Sequence, residues 1–318
     1  MRSTTRLNRA ALTVILDRQL DVITLRQARA AGVTESALRH RLRPGGPWRV
    51  LLPTVYIAAT GMPSMAQQQV AAQLYGGARS MITGSAAVLA HGIRAPQSEF
   101  VDVLVPLARQ RRDAGFVRLH RTSRMPDRVY DFGPIRFALA PRAVADTVRG
   151  LTSLRDVRAI VADAVQRRRC DVHELVTELN AGPIPRSALF REALGDVVDG
   201  IRSTAEGDLK DLLAKSGLPT PLFNASIYDG DTFVARPDAW WPEKGVAVEV
   251  DSHEWHLSPH DHTRTLERQR RMAKRGILML PFTPRDIRTQ PAKVLAAIRD
   301  ALDRAGDRPL GNLRTVAA

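Results

Sequence analysis

The sequence predicts a mixed α/β protein, and three observations lead to this prediction. The length of 318 residues corresponds to about two domains of roughly 150 residues each and leaves room for a small third one. Apolar residues recur at helical spacing in residues 25–42. Residues 100–105 and 246–251 instead show the apolar runs and the period-two alternation of strands. Helices and strands therefore occur along the whole chain.

The charge balance favours a polyanionic partner. The chain has 47 Lys and Arg against 33 Asp and Glu, which gives a formal net charge of +14. The excess is concentrated near the N-terminus, because residues 1–130 carry 19 of the basic side chains and only 7 of the acidic ones. We therefore expect a phosphate-binding surface in the N-terminal part of the chain.

Composition excludes several classes of protein. A hydrophobic fraction of 44% with 25% charged residues is ordinary for a globular protein, and it excludes wholesale disorder or a collagen-like chain. The single cysteine, Cys170, excludes a disulfide framework and a cysteine-based zinc site. The apolar residues 10–16 are interrupted by Thr13 and stopped by Asp17, so they predict one face of a helix. With no visible secretion signal or membrane span, we expect a cytoplasmic protein.

Changes in pattern divide the chain into four segments. Residues 1–60 form a helical segment that ends in strands, and residues 61–195 form an α/β middle module to which the sequence assigns no role. Residues 196–305 form the C-terminal domain, and residues 306–318 form a tail. The prolines Pro183 and Pro185 exclude a continuing helix before the C-terminal domain, although a boundary near Gly200 fits equally well.

The first segment has the pattern of a helix-turn-helix followed by a two-stranded wing. Two short helices, residues 25–30 and 34–42, are joined around Gly32, and Thr34 is a good N-cap for the second. Residues 48–57 then form two strands around Pro53. The outer face of the second helix carries basic side chains, among them Arg39, His40 and Arg43.

This segment resembles the winged-helix domain of the AbiEi family of type IV antitoxins. In that family a G-V-T…L-R-H-R-L helix precedes a W-R-V-L…V-Y wing, as residues 32–42 precede residues 48–56 here. The resemblance implies DNA binding through Arg39, His40, Arg43 and Arg49. A protein-contact module with a solvated basic helix face is the alternative.

Acidic residues in the C-terminal domain are spaced as metal ligands. Asp229-Gly230 is a hairpin signal, Asp238 lies on the strand after it, and Glu249 and Asp251 share one face of the next strand. Antiparallel neighbours lie under about 5 Å apart, so Asp238 and Glu249 can converge on one Mg²⁺.

An earlier acid, Glu206, has two interpretations. It precedes apolar residues at helical spacing, and it can complete the shell of the metal or orient a water molecule. Ser203 followed three residues later by Glu206 is also a capping box, which would give Glu206 a structural role at a helix start.

The C-terminal domain resembles a very-short-patch-repair-type endonuclease of the PD-(D/E)xK superfamily. The motif is matched by Pro237-Asp238 and Glu249-Val250-Asp251, and residues 251–256, a basic helix and a strand at residues 276–282 match the remainder of such a domain. The resemblance implies Mg²⁺ or Mn²⁺ held by Asp238, Glu249 and Asp251, with proton transfer by His253 or His256. It implies nucleic-acid contacts by three arginines of the helix, Arg264, Arg268 and Arg271.

One position departs from the superfamily pattern. Asp251 stands where many members carry a lysine that orients water and stabilises charge on the phosphate. An acid at this position is usual in the subfamily, so we do not interpret it as inactivation. The alternative for His256 is that it simply packs, together with Trp255.

We therefore expect a restriction-endonuclease-like core behind a winged helix, and a Mg²⁺-dependent endonuclease that cuts or nicks DNA. The alternative is a non-catalytic DNA-binding transcriptional regulator or type IV antitoxin-like protein, in which a degenerate nuclease fold serves as a module for a homodimer or a toxin partner. RNA as substrate stays open. The retained acids favour the nuclease, and the missing lysine favours the regulator.

Overall fold

The structure is a computed structural model that describes residues 7–250, 259–306 and 311–316, with side chains described in these ranges except for residues 259–265. It is a mixed α/β protein, as predicted. The chain divides into two compact units, Met1–Phe190 and Arg191–Ala318.

The first unit contains eight helices and eight strands within its described residues. Its helices are α1 (Arg9–Arg18), α2 (Leu25–Ala30), α3 (Glu35–Leu42), α4 (Met65–Gly76), α5 (Gly84–Ala90), α6 (Ala140–Val148), α7 (Leu154–Gln166) and α8 (Val172–Ala181). Its strands are β1 (Val22–Thr24), β2 (Arg49–Leu52), β3 (Val55–Ile57), β4 (Met81–Thr83), β5 (Val101–Pro106), β6 (Val117–Thr122), β7 (Tyr130–Phe132) and β8 (Ile135–Phe137).

Local signals fix the elements at the start of this unit. Thr24 and Thr34 cap α2 and α3 by accepting hydrogen bonds from backbone N–H groups, which confirms the cap predicted at Thr34. The strands β2 and β3 flank the turn at Pro53, as predicted, and form an antiparallel sheet in the order β1-β3-β2. Its core includes Trp48, and Leu38 holds α3 against it. Arg39 and His40 of α3 are left exposed, whereas Arg41 packs over the Trp48 ring.

The rest of the first unit is built on a five-stranded sheet in the order β6-β5-β4-β8-β7. The pairs β5–β6 and β4–β8 are parallel, whereas β4–β5 and β7–β8 are antiparallel. The helix α8 ends before Gly182, so the break predicted at this point is confirmed. Arg149 donates to the carbonyls of Glu178 and Leu179 in the last turns of α8. A Cβ at residue 182 would clash with the Arg149 guanidinium, which would have to shift to make room for it.

The second unit contains four helices and seven strands within its described residues. Its helices are α9 (Ala188–Ala214, which begins just before the unit), α10 (Pro259–Ala273), α11 (Pro284–Thr289) and α12 (Pro291–Ala305). Its strands are β9 (Leu222–Phe223), β10 (Ser226–Asp229), β11 (Thr232–Ala235), β12 (Ala239–Trp241), β13 (Val246–Val250), β14 (Leu278–Phe282) and β15 (Leu313–Val316).

A four-stranded sheet in the order β14-β13-β12-β9 is the centre of this unit. The pair β13–β14 is parallel, and the other two pairs are antiparallel. The side chains of β13 alternate between two faces, as predicted, and each face belongs to a separate core. Val246, Val248 and Val250 pack with α9, α11 and α12, whereas Ala247 packs with α10 and with β10 and β11. A side chain at position 249 therefore lies on the same face as Ala247.

Two features of this unit differ from what local patterns indicate. The helix α9 runs without interruption from Ala188 to Ala214, so Ser203 lies inside it and the capping-box interpretation of Glu206 is wrong. Ala205, Leu209 and Leu213 pack in the hydrophobic core, and these contacts stabilise the helix across the polar residues around Ser203. In the segment expected to be a tail, residues 313–316 form β15, which pairs with β10. None of the helices in the described ranges is long and apolar enough to cross a bilayer.

The ion pair of His120 on β6 with Asp102 predicts a pH-dependent contribution to stability in the first unit. Its Nε2 lies 2.6 Å from Asp102 Oδ1, and this hydrogen bond raises the pKa of His120 although burial opposes the shift. A raised pKa in the folded protein stabilises it below the unfolded value of about 6.5, and the effect is lost as the pH rises through the folded value.

We therefore expect His120→Gln to lower the thermal unfolding midpoint below about pH 6.5, with a deficit that shrinks at higher pH. Unfolding followed by circular dichroism from pH 5 to pH 9 measures this difference. His173→Gln, on the exposed side of α8, is the matched control. A deficit that is independent of pH would contradict the role of the charged pair.

Candidate active site

The pairing of β12 with β13 brings two predicted site residues together. Ala239 pairs with Val248, so the neighbouring residues Asp238 and Glu249 lie across from each other. The Val250 backbone N–H donates to Asp238 Oδ2 at 2.7 Å, which fixes the aspartate beside the end of β13. The antiparallel register therefore places the two acids as the sequence predicted.

Both acids are buried in the interior of the second unit. Asp238 is 5% exposed and Glu249 is 4% exposed. Burying a carboxylate is costly unless it is paired or hydrogen-bonded. β12 and β13 are the two inner strands of the sheet, so neighbouring strands and helices limit the access of solvent to this site.

Arg268 of α10 supplies a counter-charge to Glu249. Its Nη2 lies 2.7 Å from Glu249 Oε2, and 29% of the Arg268 side chain is exposed. Met272, one helical turn further along α10, is fully buried in the core on the same face of the sheet as Ala247. The apolar anchor at Met272 thus holds Arg268 over Glu249.

A second ion pair approaches Asp238 from α9. Arg202 Nε lies 3.2 Å from Glu206 Oε1, at the i,i+4 spacing of helix neighbours. Ala205 and Leu209 anchor this part of α9 in the core. The charges of Glu206 and Arg202 both act on Asp238, so the helix brings a third acid to the site.

The charges and hydrogen bond around Asp238 do not offset the cost of its burial. Burial raises the pKa of Asp238 above its usual range, and the negative charge of Glu206 raises it further. The Val250 N–H and the positive charges of Arg202 and Arg268 oppose the shift without cancelling it. A carboxyl whose pKa is perturbed by burial and by neighbouring charges is common at functional sites.

The donor atoms of this cluster fit a hard divalent cation. Asp238 and Glu249 supply carboxylate oxygens, the ligands that Mg²⁺ and Mn²⁺ prefer, and Glu206 is near enough for its charge to act on Asp238. Among the described residues, however, no group of three or more His, Cys, Asp or Glu side chains is close enough to hold a metal ion as it stands. Asp251, His253 and His256 lie outside the described residues. A cation bound to Glu249 would lie close to the positively charged guanidinium of Arg268.

The predicted nucleic-acid contacts have different surroundings. On α3 and directly after it, Arg39, His40 and Arg43 are exposed. Arg49 is partly buried, and its guanidinium donates to the Gly61 carbonyl. On α10, Arg271 is exposed, whereas the side chain of Arg264 lies outside the described residues.

Sequence reasoning missed one residue of the site and assigned another a different role. Arg202 was not recognised, although its i,i+4 spacing from Glu206 on a helix was a readable signal. Arg268 was predicted as a nucleic-acid contact, and the structure pairs it with Glu249. No sequence pattern indicates that α10 packs over β13, because their contact is tertiary.

Comparison with known proteins finds relatives that align with most of the chain. No family model matches it. Two uncharacterized proteins of Mycobacterium tuberculosis, one from strain CDC 1551/Oshkosh and one from strain ATCC 25618/H37Rv, are each 26% identical to it over 276 residues. The alignment covers 86% of this chain and 98% of each relative. The similarity therefore extends over both units and is not confined to one of them.

The raised pKa of Asp238 predicts a stability effect. Because the folded-state pKa is raised, ionisation of Asp238 lowers stability as the pH rises from the usual aspartate value of about 3.9 through the folded value. An asparagine at this position would keep an oxygen that accepts from the Val250 N–H and would carry no charge. We therefore expect Asp238→Asn to unfold at a higher temperature than the wild type at neutral pH in EDTA.

The difference should disappear below about pH 3.9, where both side chains are neutral. Calorimetry at pH 3.5, 5 and 7.5 measures it, with Asp231→Asn in the exposed turn of the β10–β11 hairpin as control. If Asp238→Asn unfolded at a lower temperature than the wild type at neutral pH, the conclusion that ionised Asp238 destabilises the folded protein would be contradicted.

Proposed function

We propose that this protein is a DNA-binding, divalent-metal-dependent endonuclease whose active site is the acidic cluster of the second unit. The supporting observation is the position of Asp238 and Glu249, which are buried side by side at the ends of adjacent strands next to Glu206. Two ionised carboxylates are costly to bury together unless cations or protons compensate them. The mixed sheet with helices on its faces supports the restriction-endonuclease-like interpretation.

Each side chain of the cluster has a role in this proposal. Asp238 and Glu249 would hold the cation, Glu206 would complete its shell or orient water, and Asp251 would assist. When bound, Mg²⁺ or Mn²⁺ polarises a phosphoryl oxygen and lowers the pKa of a bound water molecule. His253 or His256 would transfer a proton to or from the reacting groups.

The first unit would deliver the site to DNA. The element order of residues 9–57 and the three-stranded sheet support a winged helix, in which α3 is the recognition helix. Its exposed basic side chains, with the net positive charge of residues 1–130, suit the phosphate backbone. Arg49 is the weakest contact of the proposed set, because its guanidinium already donates to the Gly61 carbonyl.

A second candidate is a non-catalytic DNA-binding regulator, or an antitoxin-like protein with a toxin partner. The ion pair between Arg268 and Glu249 favours it, since an arginine already neutralises one of the two buried acids without a metal. In this case the acidic cluster would serve the stability of the second unit, and the winged helix would carry the function.

Glu249→Gln separates the two candidates. Glutamine keeps the shape of the side chain and removes the charge that a divalent cation needs, so we expect cleavage of supercoiled plasmid to fall about 100-fold or more. DNA binding by the first unit should be unchanged. The assay uses Mg²⁺, Mn²⁺ or EDTA with the full-length chain.

Glu243→Gln, in the exposed turn between β12 and β13, is the matched control. Metal-dependent cleavage that does not respond to Glu249→Gln would assign the activity to another site or to a contaminant. If no divalent ion supports cleavage, the regulator becomes the preferred function.

The DNA-binding part of the proposal predicts a change in salt dependence. Replacing Arg39 and Arg43 by alanine removes two exposed cations of the proposed DNA surface. The slope of log affinity against log salt should therefore fall by about 2. Fluorescence anisotropy with a duplex oligonucleotide at several salt concentrations measures this slope.

The control replaces Arg9 and Arg18 on α1, which removes the same charge from another exposed helix. An equal decrease in both double variants would mean that net charge, and not the surface of α3, determines binding. An unchanged slope in the α3 variant would favour a protein-contact role for this segment.

A further inference from the structure

We propose that Arg268 exchanges partners during the reaction: it is the counter-ion of Glu249 in the metal-free protein, and it binds the DNA phosphate once a divalent cation occupies the acidic cluster. This inference rests on the proposed function and assigns Arg268 as a catalytic residue. It would give the chain a cation in the role that a lysine has in many members of the superfamily, since the matching position of this sequence is Asp251.

The position of Arg268 supports the first half of the exchange. Its Nη2 lies 2.7 Å from Glu249 Oε2, and the Glu249 side chain is only 5% exposed. The positive charge of Arg268 also acts on Asp238, on the neighbouring strand. One guanidinium is therefore close to both of the acids that would bind the metal.

Competition for Glu249 follows from the charges. A cation bound to a carboxylate oxygen lies about 2.0–2.6 Å from it, which puts two positive centres within a few ångströms when Arg268 keeps its contact. Like charges at this distance repel each other strongly in a site with little water. Metal binding must therefore weaken the Arg268–Glu249 ion pair.

The net charge of the described side chains shows why an anion would complete the exchange. The carboxylates of Glu206, Asp238 and Glu249 in their ionised forms, with the guanidinium groups of Arg202 and Arg268, leave one net negative charge. A divalent cation changes the sign to one net positive charge. A single phosphodiester anion neutralises it, so metal and phosphate fit the cluster better together than the metal does alone.

Arg268 also has the donors and the access that a phosphate needs. A guanidinium has five N–H donors in a planar fork that matches phosphate oxygens. Within the described part of the chain, Arg268 Nε is a buried donor without a hydrogen-bond partner. The side chain is 29% exposed, so its outer face can be reached without moving α10, which Met272 anchors.

The test compares Arg268→Gln with the wild type in the full-length chain, with thermal unfolding as a readout that does not require activity. In EDTA the variant should unfold at a lower temperature, because the buried Glu249 loses the charge of Arg268. Mn²⁺ or Mg²⁺ should raise its midpoint more than that of the wild type. By calorimetric titration the variant should bind Mn²⁺ about tenfold more tightly.

Plasmid cleavage should change in the opposite direction. At saturating metal we expect Arg268→Gln to cleave about 100-fold more slowly, because the phosphate has lost its guanidinium contact. Arg268→Lys should recover part of the rate, since it restores the charge without the planar fork. Tighter metal binding together with slower cleavage is the signature of the exchange.

Two further variants keep the result interpretable. Arg270→Gln removes an exposed arginine from the same helix and should behave as the wild type. The double variant Arg268→Gln, Glu249→Gln removes both partners, so it should regain stability in EDTA and lose the response to metal. It also provides a folded reference if Arg268→Gln alone unfolds.

The outcomes distinguish the two proposals. If the wild type binds metal and cleaves DNA but Arg268→Gln does so with equal affinity and rate, the exchange is overturned and the proposed function stands. Weaker metal binding by Arg268→Gln also overturns it, because Arg268 would then support the metal. A wild type that neither binds Mn²⁺ or Mg²⁺ nor cleaves DNA overturns the proposed function, and the exchange with it.

Discussion

The burial of Asp238 beside Glu249 is the constraint on which the second unit depends. The register of β12 with β13 places the two side chains next to each other. Both strands lie inside the sheet, which limits the water around them. Two ionised carboxylates in such a place require cations or protons. The arginines of α9 and α10 supply the cations, and the raised pKa of Asp238 shows that they compensate only in part.

Another buried aspartate of the chain shows what full compensation achieves. Asp163 in the first unit is 6% exposed, and it accepts hydrogen bonds from the backbone and side chain of Arg94 and from Arg167. Burial raises the pKa of Asp163, but these bonds outweigh it and lower the value to about 2. Asp163 is thus stabilised in its ionised form, whereas the pKa of Asp238 stays raised.

The two hydrophobic cores of the second unit hold the helices that carry these arginines. One core fixes α9 through Ala205 and Leu209, and the other fixes α10 through Met272, so each helix presents an arginine to the acids from its own anchor. Apolar packing therefore sets the positions of the charges. The same division of roles applies in the first unit, where Leu38 and Trp48 hold α3 and leave Arg39 and His40 exposed.

The sequence by itself determined the mixed α/β class, the caps and turns of residues 24–57, the alternation of β13 and the pairing of Asp238 with Glu249 across the sheet, because local spacing and strand periodicity control them. It also indicated capping at Ser203, which is wrong because the contacts of α9 with the sheet override a local signal. Only the tertiary structure decided that Arg202 and Arg268 reach the acids and that Asp238 is buried. These properties depend on the packing of residues distant in sequence, which no local pattern records.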